Sequence, residues 1–351
     1  MSLTLIPAAN AAAQIDSFDA IIDARSESEY AEDRLPGALN WPSLHDEERR
    51  IVGTRYKQVS DFDARKIGAA MVARNIAAHL EREAHDKPHG WRPLVYCWRG
   101  GKRSGTLAWF LDQIGFRVHV LEGGYKAFRA AIVADIDLLP AKFEFRVLCG
   151  RTGSGKTRLL HALAAEGAQV LDLEELAQHR GSVLGLIPGQ PQPTQKAFET
   201  LIWNVLRRFD ASRPVFVESE SKKVGNLRVP EALIDRMRFQ SRCLHVEMPD
   251  AARVQLLLED YAFFAEDPDL FCRQLDALVE MRGRETVAAW QAAARSRRWA
   301  EVYAELMLRH YDPLYLKSMQ RNFSGFDQAA AVHLADGSPA SLSEVAKYLL
   351  R

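Results

Sequence analysis

A cysteine that is followed at once by cations and glycines is the first place in this sequence where chemistry could occur. Cys97 comes directly after the apolar run 94–96, and a predicted helix begins at about Ser104. The cations, the inward-facing N–H groups that glycines allow and the positive end of the helix would all stabilise a thiolate. The same groups would bind a bulky anion, so Cys97 is a candidate nucleophile beside an anion cradle. The cradle residues are Trp98, Arg99, Gly100, Gly101, Lys102 and Arg103.

A complete phosphate-binding loop is the second such feature. Residues 150–157 read GRTGSGKT, which fits G-x-x-x-x-G-K-[ST], and they lie between an apolar strand-like segment and a helical one. That strand-loop-helix context is what the motif requires. Backbone N–H groups would surround the phosphates, Lys156 would add a positive charge and Thr157 could reach Mg²⁺. The candidate phosphate-binding residues are Gly150, Thr152, Gly153, Ser154, Gly155, Lys156 and Thr157.

Polar residues that follow other predicted strands would support this loop, because side chains at the carboxyl ends of a parallel sheet lie near a bound phosphate. The strand-like run 214–217 leads to Glu218 and Glu220, where P-loop enzymes often hold a metal ion with an acidic residue. Lys222 and Lys223 follow at once, so contact with an anionic substrate is the alternative. The candidate supporting residues are Asp172, Arg180, Ser182, Glu218 and Glu220.

The elements that must position these residues alternate between short apolar strands and helices. Such alternation predicts an α/β fold with mostly parallel sheets. Pro140 marks a break, which divides the chain into a first α/β domain at residues 12–137 and a second at residues 138–351 that carries the phosphate loop. Beyond about Asp250 the sequence is rich in helix formers, so we expect the C-terminal part of the second domain to be all-helical.

The composition excludes several classes of protein. The chain has 351 residues, 46 Lys and Arg against 46 Asp and Glu, and 47% apolar residues, which excludes a disordered chain and a uniformly basic one. The four cysteines are widely spaced without a C-x-x-C pair, which argues against a zinc ribbon or a disulfide framework. The N-terminus lacks a signal-peptide pattern, and no apolar run is long enough for a membrane helix. We therefore expect a cytoplasmic protein with no membrane partner.

Cations alternate with aromatic residues in the C-terminal region, as in Arg298, Trp299, Tyr303, Arg309 and Tyr311. Cations can contact RNA phosphates, and aromatic rings can stack on bases. A helix of this composition is more often half core and half solvent-facing surface. The segment alone does not decide between the two interpretations.

Three short patterns in the first domain accompany the Cys97 loop: Asp23 and Arg25 end a predicted strand as Asp-x-Arg, residues 36–38 read Pro-Gly-Ala, and residues 121–124 read Leu-Glu-Gly-Gly. With these patterns the first domain resembles a rhodanese domain. In rhodaneses the cysteine carries a transferable sulfur as a persulfide. This sequence departs from many of them, because five residues separate Cys97 from Arg103, one more than is usual. The longer loop resembles the Cys-x5-Arg loop of related phosphatases and would suit selenium or a phosphate-bearing donor.

The segments CWRGGKRS, GRTGSGKT, DLEELAQHRGS, QPTQKAFE and VFVESESKK occur in one chain and in this order. Together they resemble the bacterial tRNA 2-selenouridine synthase family, in which a rhodanese-like domain precedes a P-loop domain. This resemblance implies that 2-thiouridine at the tRNA wobble position becomes 2-selenouridine, with selenium from selenophosphate. It also implies an S-geranyl-2-thiouridine intermediate made from geranyl diphosphate, and a selenophosphate-producing enzyme as functional partner. Cys97 would then be the nucleophile and the selenium carrier, through a Cys–S–Se bond.

The residues alone leave other ligands and reactions open. The phosphate loop would hold geranyl diphosphate or an NTP, with Mg²⁺ reached through Thr157. One other enzyme class is a thiosulfate sulfurtransferase fused to an ATPase or kinase. Another is a phosphate-ester hydrolase that uses Cys97 and Arg103, although Tyr96 rather than His precedes the cysteine. A non-enzymatic regulatory module is the remaining class, and the intact nucleophile with its full set of cations argues against it.

Overall fold

The computed structural model describes residues 3–182, 184–185 and 187–351, which form two compact units. The first unit comprises the chain up to Asp135 together with Thr194–Asn204, and the second comprises Ile136–Pro193 and Val205–Arg351. A five-stranded parallel sheet lies at the centre of each unit. The α/β fold that the sequence predicts is therefore confirmed.

The sheet of the first unit is built from β1 Thr4–Ile6, β2 Ala20–Asp23, β3 Ala38–Asn40, β4 Pro93–Tyr96 and β5 His119–Leu121. Its strand order is β1-β5-β4-β2-β3, with every neighbouring pair parallel. The central strand β4 is buried along its whole length, because helices cover both faces of a parallel sheet. β1 lies ahead of residue 12, the start that the sequence predicts for this domain.

The helices of the first unit connect these strands. They are α1 Ala8–Ala13, α2 Glu27–Glu32, α3 Asp46–Gln58, α4 Asp61–His79, α5 Lys102–Ile114 and α6 Gly124–Ile136. Helix α5 packs Leu107 and Leu111 against Val95 and Val120 of the sheet, with Ile76 of α4 in the same core. This packing fixes the axis of α5, whose first turn follows the Cys97 loop.

The sheet of the second unit has the order β12-β11-β6-β8-β7 and is also parallel throughout. Its strands are β6 Phe145–Cys149, β7 Gln169–Leu171, β8 Val215–Glu218, β11 Arg242–Glu247 and β12 Ala330–His333, while β9 Lys223–Val224 and β10 Leu227–Arg228 form a small hairpin. After β6 the chain builds one side of the sheet and then returns to build the other. The carboxyl end of β6 is therefore a topological switch point, where α/β folds bind ligands.

The helices that follow β6 include the C-terminal group. They are α7 Lys156–Ala165, α8 Leu173–Ala177, α9 Gln195–Leu206, α10 Glu231–Phe239, α11 Asp250–Asp260, α12 Phe263–Glu266, α13 Pro268–Leu275, α14 Val279–Arg282, α15 Arg284–Arg295, α16 Trp299–Leu306, α17 Asp312–Asn322 and α18 Pro339–Leu349. The expectation of an all-helical region beyond Asp250 is wrong at one point. The chain returns as β12 and adds a strand beside β11, because Val332 supplies apolar surface to the core between the sheet, α7 and α18. Among the described residues, no helix is long and apolar enough to cross a membrane.

The aromatic residues of the C-terminal region lie in a hydrophobic core. Trp299 and Tyr303 are buried and pack around Phe271 with neighbouring rings. Arg298 and Arg309 are exposed and pair with nearby glutamates on the same helical face. The rings are not available to stack on RNA bases, so the half-core, half-surface interpretation describes this segment.

Candidate functional site

Cys97 lies at the carboxyl end of β4, at the start of the loop that leads into α5. Its side chain is buried, and residues 98–101 form the bends that precede Lys102. Gly100 has a φ of +67°, and a Cβ there would lie 2.9 Å from the carbonyl oxygen of Leu121. At Gly124 a Cβ would lie 2.2 Å from the carbonyl oxygen of Cys97. Glycine is therefore required at both positions for the loop to pack against the start of α6.

One hydroxyl group is directed at the thiol. Ser104 Oγ donates a hydrogen bond to Cys97 Sγ at 3.1 Å, and Ser104 is fully buried in the first turn of α5. Such a bond stabilises a thiolate more than a thiol, because it is assisted by the negative charge. Ser104 belongs to none of the predicted sites. Its position directly after Arg103, in the first turn of the helix that the loop enters, is the sequence signal that points to it.

The loop offers its backbone N–H groups to an anion. Within the described part of the chain, none of the N–H groups of residues 98–103 donates a hydrogen bond to a protein atom. Arg99 and Lys102 are exposed at the same loop. N–H groups without protein acceptors, beside cations, are the general construction of a site for a tetrahedral oxyanion. The predicted cradle residues therefore form one loop that begins at Cys97 and carries both features.

Arg103 is held by a carboxylate that the sequence analysis missed. Its Nη1 atom donates to Glu29 Oε2 at 2.7 Å, and Arg49 lies 3.3 Å from the same oxygen. Burial alone would raise the pKa of Glu29, but the hydrogen bond and charge of Arg103 outweigh it and lower that pKa below its ordinary value. Glu29 is therefore ionised at neutral pH and fixes the direction of the Arg103 guanidinium. No local pattern could show this, because the two residues lie in different helices.

A buried aromatic residue supports the loop from behind. The N–H of Tyr125 donates to the carbonyl oxygen of Cys97 at 2.8 Å, and its ring stacks on Trp98 with centroids 5.4 Å apart. The guanidinium of Arg25 lies 4.1 Å from the centroid of the Tyr125 ring. Arg25 itself is paired with Asp23 in the interior. The Asp-x-Arg motif therefore acts through Tyr125 on the backbone of the Cys97 loop.

Helix α9 closes the same network, although it lies between elements of the second unit in sequence. Thr200 Oγ1 and Tyr125 OH both donate to Asp33 Oδ2, at 3.0 and 2.8 Å. Asp33 is buried, which raises its pKa, and the two hydrogen bonds oppose that shift. Further polar contacts of this helix with the first unit are Lys196 with Glu32, Glu199 with Arg129 and Trp203 with Asp135. Their partners lie more than sixty residues away in the chain, so no sequence window contains them.

The phosphate loop has the geometry that its motif predicts. Gly153 and Gly155 have φ values of +75° and +83°, and α7 begins at Lys156. Lys156 Nζ donates to the carbonyl oxygens of Gly150 at 2.6 Å and Arg151 at 3.4 Å, so the ammonium group lies within the loop. Burial lowers the pKa of Lys156, against the opposing charges of nearby carboxylates.

The charges of three carboxylates act on this lysine: Glu218 and Glu220 are buried, and Glu174 is half-buried. Thr157 Oγ1 donates to Glu174 Oε2 at 3.3 Å, and the Glu174 N–H donates to Glu218 Oε1 at 2.9 Å. Burial and the charges of neighbouring carboxylates raise the pKa of Glu218 and Glu220 well above the ordinary range. The other oxygen of Glu218, Oε2, is buried without a hydrogen-bond partner among the described residues. A carboxylate oxygen without a partner, in the cleft that Thr157 also lines, fits a bound divalent cation that would offset the negative charge of these carboxylates.

The predicted supporting residues line the same cleft as the phosphate loop. Its volume is about 690 Å³, and Asp172, Arg180, Ser182, Glu218 and Glu220 all contribute to its wall. Asp172 also caps α8 and accepts a hydrogen bond from His161 at 2.9 Å. The ligand atoms of His161, Asp172 and Glu175 lie within 4.8 Å of one another, so these residues form a second group with the composition of a metal site.

The cleft also has an apolar side, which the sequence analysis did not find. Its wall residues come from the helix α11 and the residue after it, and from the helix α17 and the segment after it. Tyr315 faces the lysine of the phosphate loop, with its ring centroid 5.9 Å from Lys156 Nζ. A ligand with a phosphate group at one end and a hydrocarbon chain at the other suits this distribution. The apolar wall consists of Leu256, Leu257, Tyr261, Leu314, Tyr315, Met319 and Phe323.

Two family models match the chain. The Rhodanese-like domain model matches residues 7–131, and the model described as tRNA 2-selenouridine synthase AAA domain matches residues 143–276. The Cys97 cradle lies in the first region and the phosphate loop in the second.

Curated relatives match across both units. A tRNA 2-selenouridine synthase of Nitrosomonas europaea is 39% identical over 69% of this chain, but the match spans 63% of that relative's length. Longer matches are found with the tRNA 2-selenouridine synthases of Hydrogenovibrio crunogenus and Nitrosomonas eutropha. They are 33% and 31% identical, over 87% and 90% of this chain and 92% and 93% of the relatives.

Proposed function

The chain belongs to the tRNA 2-selenouridine synthase family, and on that premise we propose that it converts 2-thiouridine at the tRNA wobble position into 2-selenouridine. Selenophosphate supplies the selenium, and S-geranyl-2-thiouridine, made from geranyl diphosphate, is the intermediate. The observation that carries the proposal is the presence in one chain of a thiol within an oxyanion cradle and of a phosphate loop with an apolar wall. An enzyme that produces selenophosphate would be its functional partner.

The phosphate-loop cleft suits the geranylation step. Gly150, the N–H groups of residues 152–157 and Lys156 would hold the diphosphate, and the apolar wall would accept the ten-carbon chain. The thiouridine sulfur attacks the first carbon of the chain, the carbon–oxygen bond breaks, and diphosphate leaves with the electron pair while the base loses its N3 proton. A Mg²⁺ ion held by Thr157, Glu174 and Glu218 would supply positive charge to the leaving diphosphate. An NTP in this loop is the competing ligand.

The Cys97 site suits the selenium donor. The N–H groups of residues 98–103, with Arg99, Lys102 and Arg103, would bind the phosphate oxygens of selenophosphate and present the donor to the sulfur of Cys97. Cleavage of the phosphorus–selenium bond leaves the electron pair on selenium and transfers the phosphoryl group finally to water, which gives hydrogenselenide and phosphate. In the final exchange, hydrogenselenide adds to C2 of the S-geranyl base, the carbon–sulfur bond breaks, and geranyl thiolate leaves. The proton from selenium moves to N3, so the step needs no oxidant.

Mass spectrometry of tRNA nucleosides tests this assignment. The full-length protein is incubated with 2-thiouridine-containing tRNA, geranyl diphosphate, selenophosphate and Mg²⁺. Wild type should give 2-selenouridine, Cys97→Ser should stop at the S-geranyl nucleoside, and Lys156→Ala should leave 2-thiouridine unchanged. Cys272→Ser and Lys317→Ala, which change a cysteine and a lysine outside both sites, are matched controls.

Each step of the proposal can fail separately. If Lys156→Ala still geranylates tRNA, the phosphate loop does not hold geranyl diphosphate. If wild type changes no nucleoside but forms thiocyanate rapidly from thiosulfate and cyanide, the chain is a sulfurtransferase and the proposed function is wrong.

A further inference from the structure

Selenophosphate offers two atoms to the thiolate of Cys97, selenium and phosphorus. Attack on selenium would leave the electron pair of the phosphorus–selenium bond on phosphorus, so the donor would depart as phosphite, reduced by two electrons, and not as phosphate. Attack on phosphorus forms a sulfur–phosphorus bond and breaks the phosphorus–selenium bond, with the electron pair leaving on selenium. The second route changes no oxidation state and yields phosphate on hydrolysis, so it avoids the reduction of phosphorus that the first route requires.

The geometry of the cradle also favours phosphorus. Within the described residues the N–H groups of residues 98–103 have no protein acceptor, and Arg99 and Lys102 are exposed on the loop that begins at the buried sulfur. Several donors around one sulfur fit the three oxygens of a phosphoryl group better than a lone selenium atom, which accepts hydrogen bonds weakly. When the loop binds the three oxygens of the phosphoryl group, the sulfur would lie opposite the phosphorus–selenium bond. That is the geometry of in-line attack on phosphorus.

Two further groups are placed for phosphoryl transfer. Glu29 accepts from Nη1 of Arg103, and the structure shows no protein partner for Nε or Nη2 of that guanidinium in the described part of the chain. Those atoms remain for the equatorial oxygens, where charge accumulates in the transition state. Ser104 Oγ, at 3.1 Å from Cys97 Sγ, can stabilise the sulfur when it is released as a thiolate.

We propose that Cys97 attacks the phosphorus of selenophosphate, which gives an S-phosphocysteine and free hydrogenselenide. Water then attacks the phosphorus, the sulfur–phosphorus bond breaks with its electron pair on sulfur, and phosphate leaves. Selenium keeps its oxidation state throughout and is released as the nucleophile that the S-geranyl base requires. The inference rests on the proposed function only in taking selenophosphate as the donor. It puts phosphorus rather than selenium on Cys97.

The test is a rapid acid quench of the full-length protein with selenophosphate alone, followed by peptide mass spectrometry. The two adducts have nearly equal masses, so selenium is recognised by its isotope pattern and phosphorus by phosphorus NMR. We expect a phosphoryl group on Cys97 and one hydrogenselenide, trapped by a bimane reagent, for each adduct formed. A selenium isotope pattern on Cys97, or nucleoside conversion without any phosphoryl adduct, would overturn the proposal.

Variants separate this chemistry from a structural role. In Ser104→Ala the leaving thiolate loses its hydrogen-bond donor, so dephosphorylation should slow about tenfold and the adduct should accumulate. Thr106→Val is the matched control, because Thr106 Oγ1 donates to the Lys102 carbonyl on the same helix and not to Cys97. If the adduct decays equally fast in Ser104→Ala and wild type, the assigned role of Ser104 in the proposal is wrong.

Failure of the proposed function can be distinguished from failure of this inference. Hydrolysis of p-nitrophenyl phosphate requires the phosphoryl chemistry but neither selenium nor tRNA. If tRNA is not selenated but wild type hydrolyses this ester and Cys97→Ser does not, the phosphoryl chemistry stands and the tRNA assignment fails. If tRNA is selenated while Cys97 forms no phosphoryl adduct with either donor, the tRNA assignment stands and the inference fails.

Discussion

The guanidinium of Arg253 donates from Nη2 to Asp312 Oδ1 at 2.6 Å and from Nη1 to Asp312 Oδ2 at 2.9 Å. Its Nη2 and Nε atoms also donate to the carbonyl oxygen of Thr152, in the phosphate loop. Arg253 is fully buried on α11, and Asp312 begins α17. The two helices are therefore tied through one ion pair to the backbone that would hold the diphosphate.

Removing the charge of Asp312 should destabilise the phosphate loop. In Asp312→Asn the buried Arg253 loses its main counter-charge, and we expect the free energy of unfolding to fall by about 3 kcal/mol. Affinity for pyrophosphate, measured by titration calorimetry, should fall as well. Arg151→Gln is the control: Arg151 pairs with the same aspartate but is partly exposed, so its loss should cost less than about 1 kcal/mol. Equal effects of both variants would contradict the role given to Arg253.

The hydroxyl of Thr200 should matter to Cys97, although it lies in α9. Thr200→Val keeps the shape of the side chain but removes one donor from buried Asp33, so stability should fall by about 1–3 kcal/mol. Because Asp33 also accepts from Tyr125, which holds the Cys97 carbonyl, the rate of Cys97 alkylation by iodoacetamide should change too. Thr200→Ser retains the hydroxyl and should restore both values. An unchanged alkylation rate in Thr200→Val would show that the loop does not depend on α9.

Local motifs account for what the sequence could predict. Each predicted site is one contiguous segment of the chain: Cys97 with its cradle, and Gly150 to Thr157 with the flanking strand and helix. A single loop therefore positions the side chains and backbone of each site. The supporting residues Asp172, Glu218 and Glu220 were predictable because parallel strands end at one edge of a sheet. In each case the geometry follows from neighbours in sequence or from a general rule of sheet topology.

The rest depends on tertiary contacts that no window contains. Arg103 and Glu29 lie 74 positions apart, and Arg253 and Asp312 lie 59 apart. Helix α9 looks in sequence like a connector of the second domain, yet its polar contacts are made with the first unit. The aromatic residues around Trp299 have a composition that suits either a core or an RNA surface, and only packing distinguishes the two.

Acid should weaken the Arg103–Glu29 pair in a defined window. The pKa of Glu29 is lowered in the folded chain, so the stability from this pair is present above its ordinary pKa and is lost as pH falls through the lowered value. Glu29→Gln should therefore destabilise the protein at neutral pH and lose less stability than wild type between about pH 5 and pH 3. Denaturant unfolding at several pH values measures this. Glu231→Gln, an exposed carboxylate at the start of α10, should keep the wild-type pH profile.

The buried carboxylates of the phosphate-loop cleft should respond to pH in the opposite sense. The pKa of Glu218 is raised in the folded chain, so the folded state holds a proton that the unfolded state has lost. The contribution of this protonated carboxyl group to the free energy of unfolding is complete below the ordinary carboxyl pKa. It is lost as pH rises towards the raised pKa, by up to about 1.4 kcal/mol per pH unit for each proton. Mg²⁺ binds the ionised form, so its stabilising effect should grow as pH rises.

Glu218→Gln tests this linkage, because the amide cannot ionise and offers Mg²⁺ a weaker oxygen ligand. Between about pH 5 and pH 8 we expect a flatter stability profile without Mg²⁺ and a smaller rise in melting temperature with it. Glu231→Gln, an exposed carboxylate at the start of α10, should behave as wild type in both respects. If wild type and Glu218→Gln gain the same stability from Mg²⁺ at every pH, the cation is not held by Glu218.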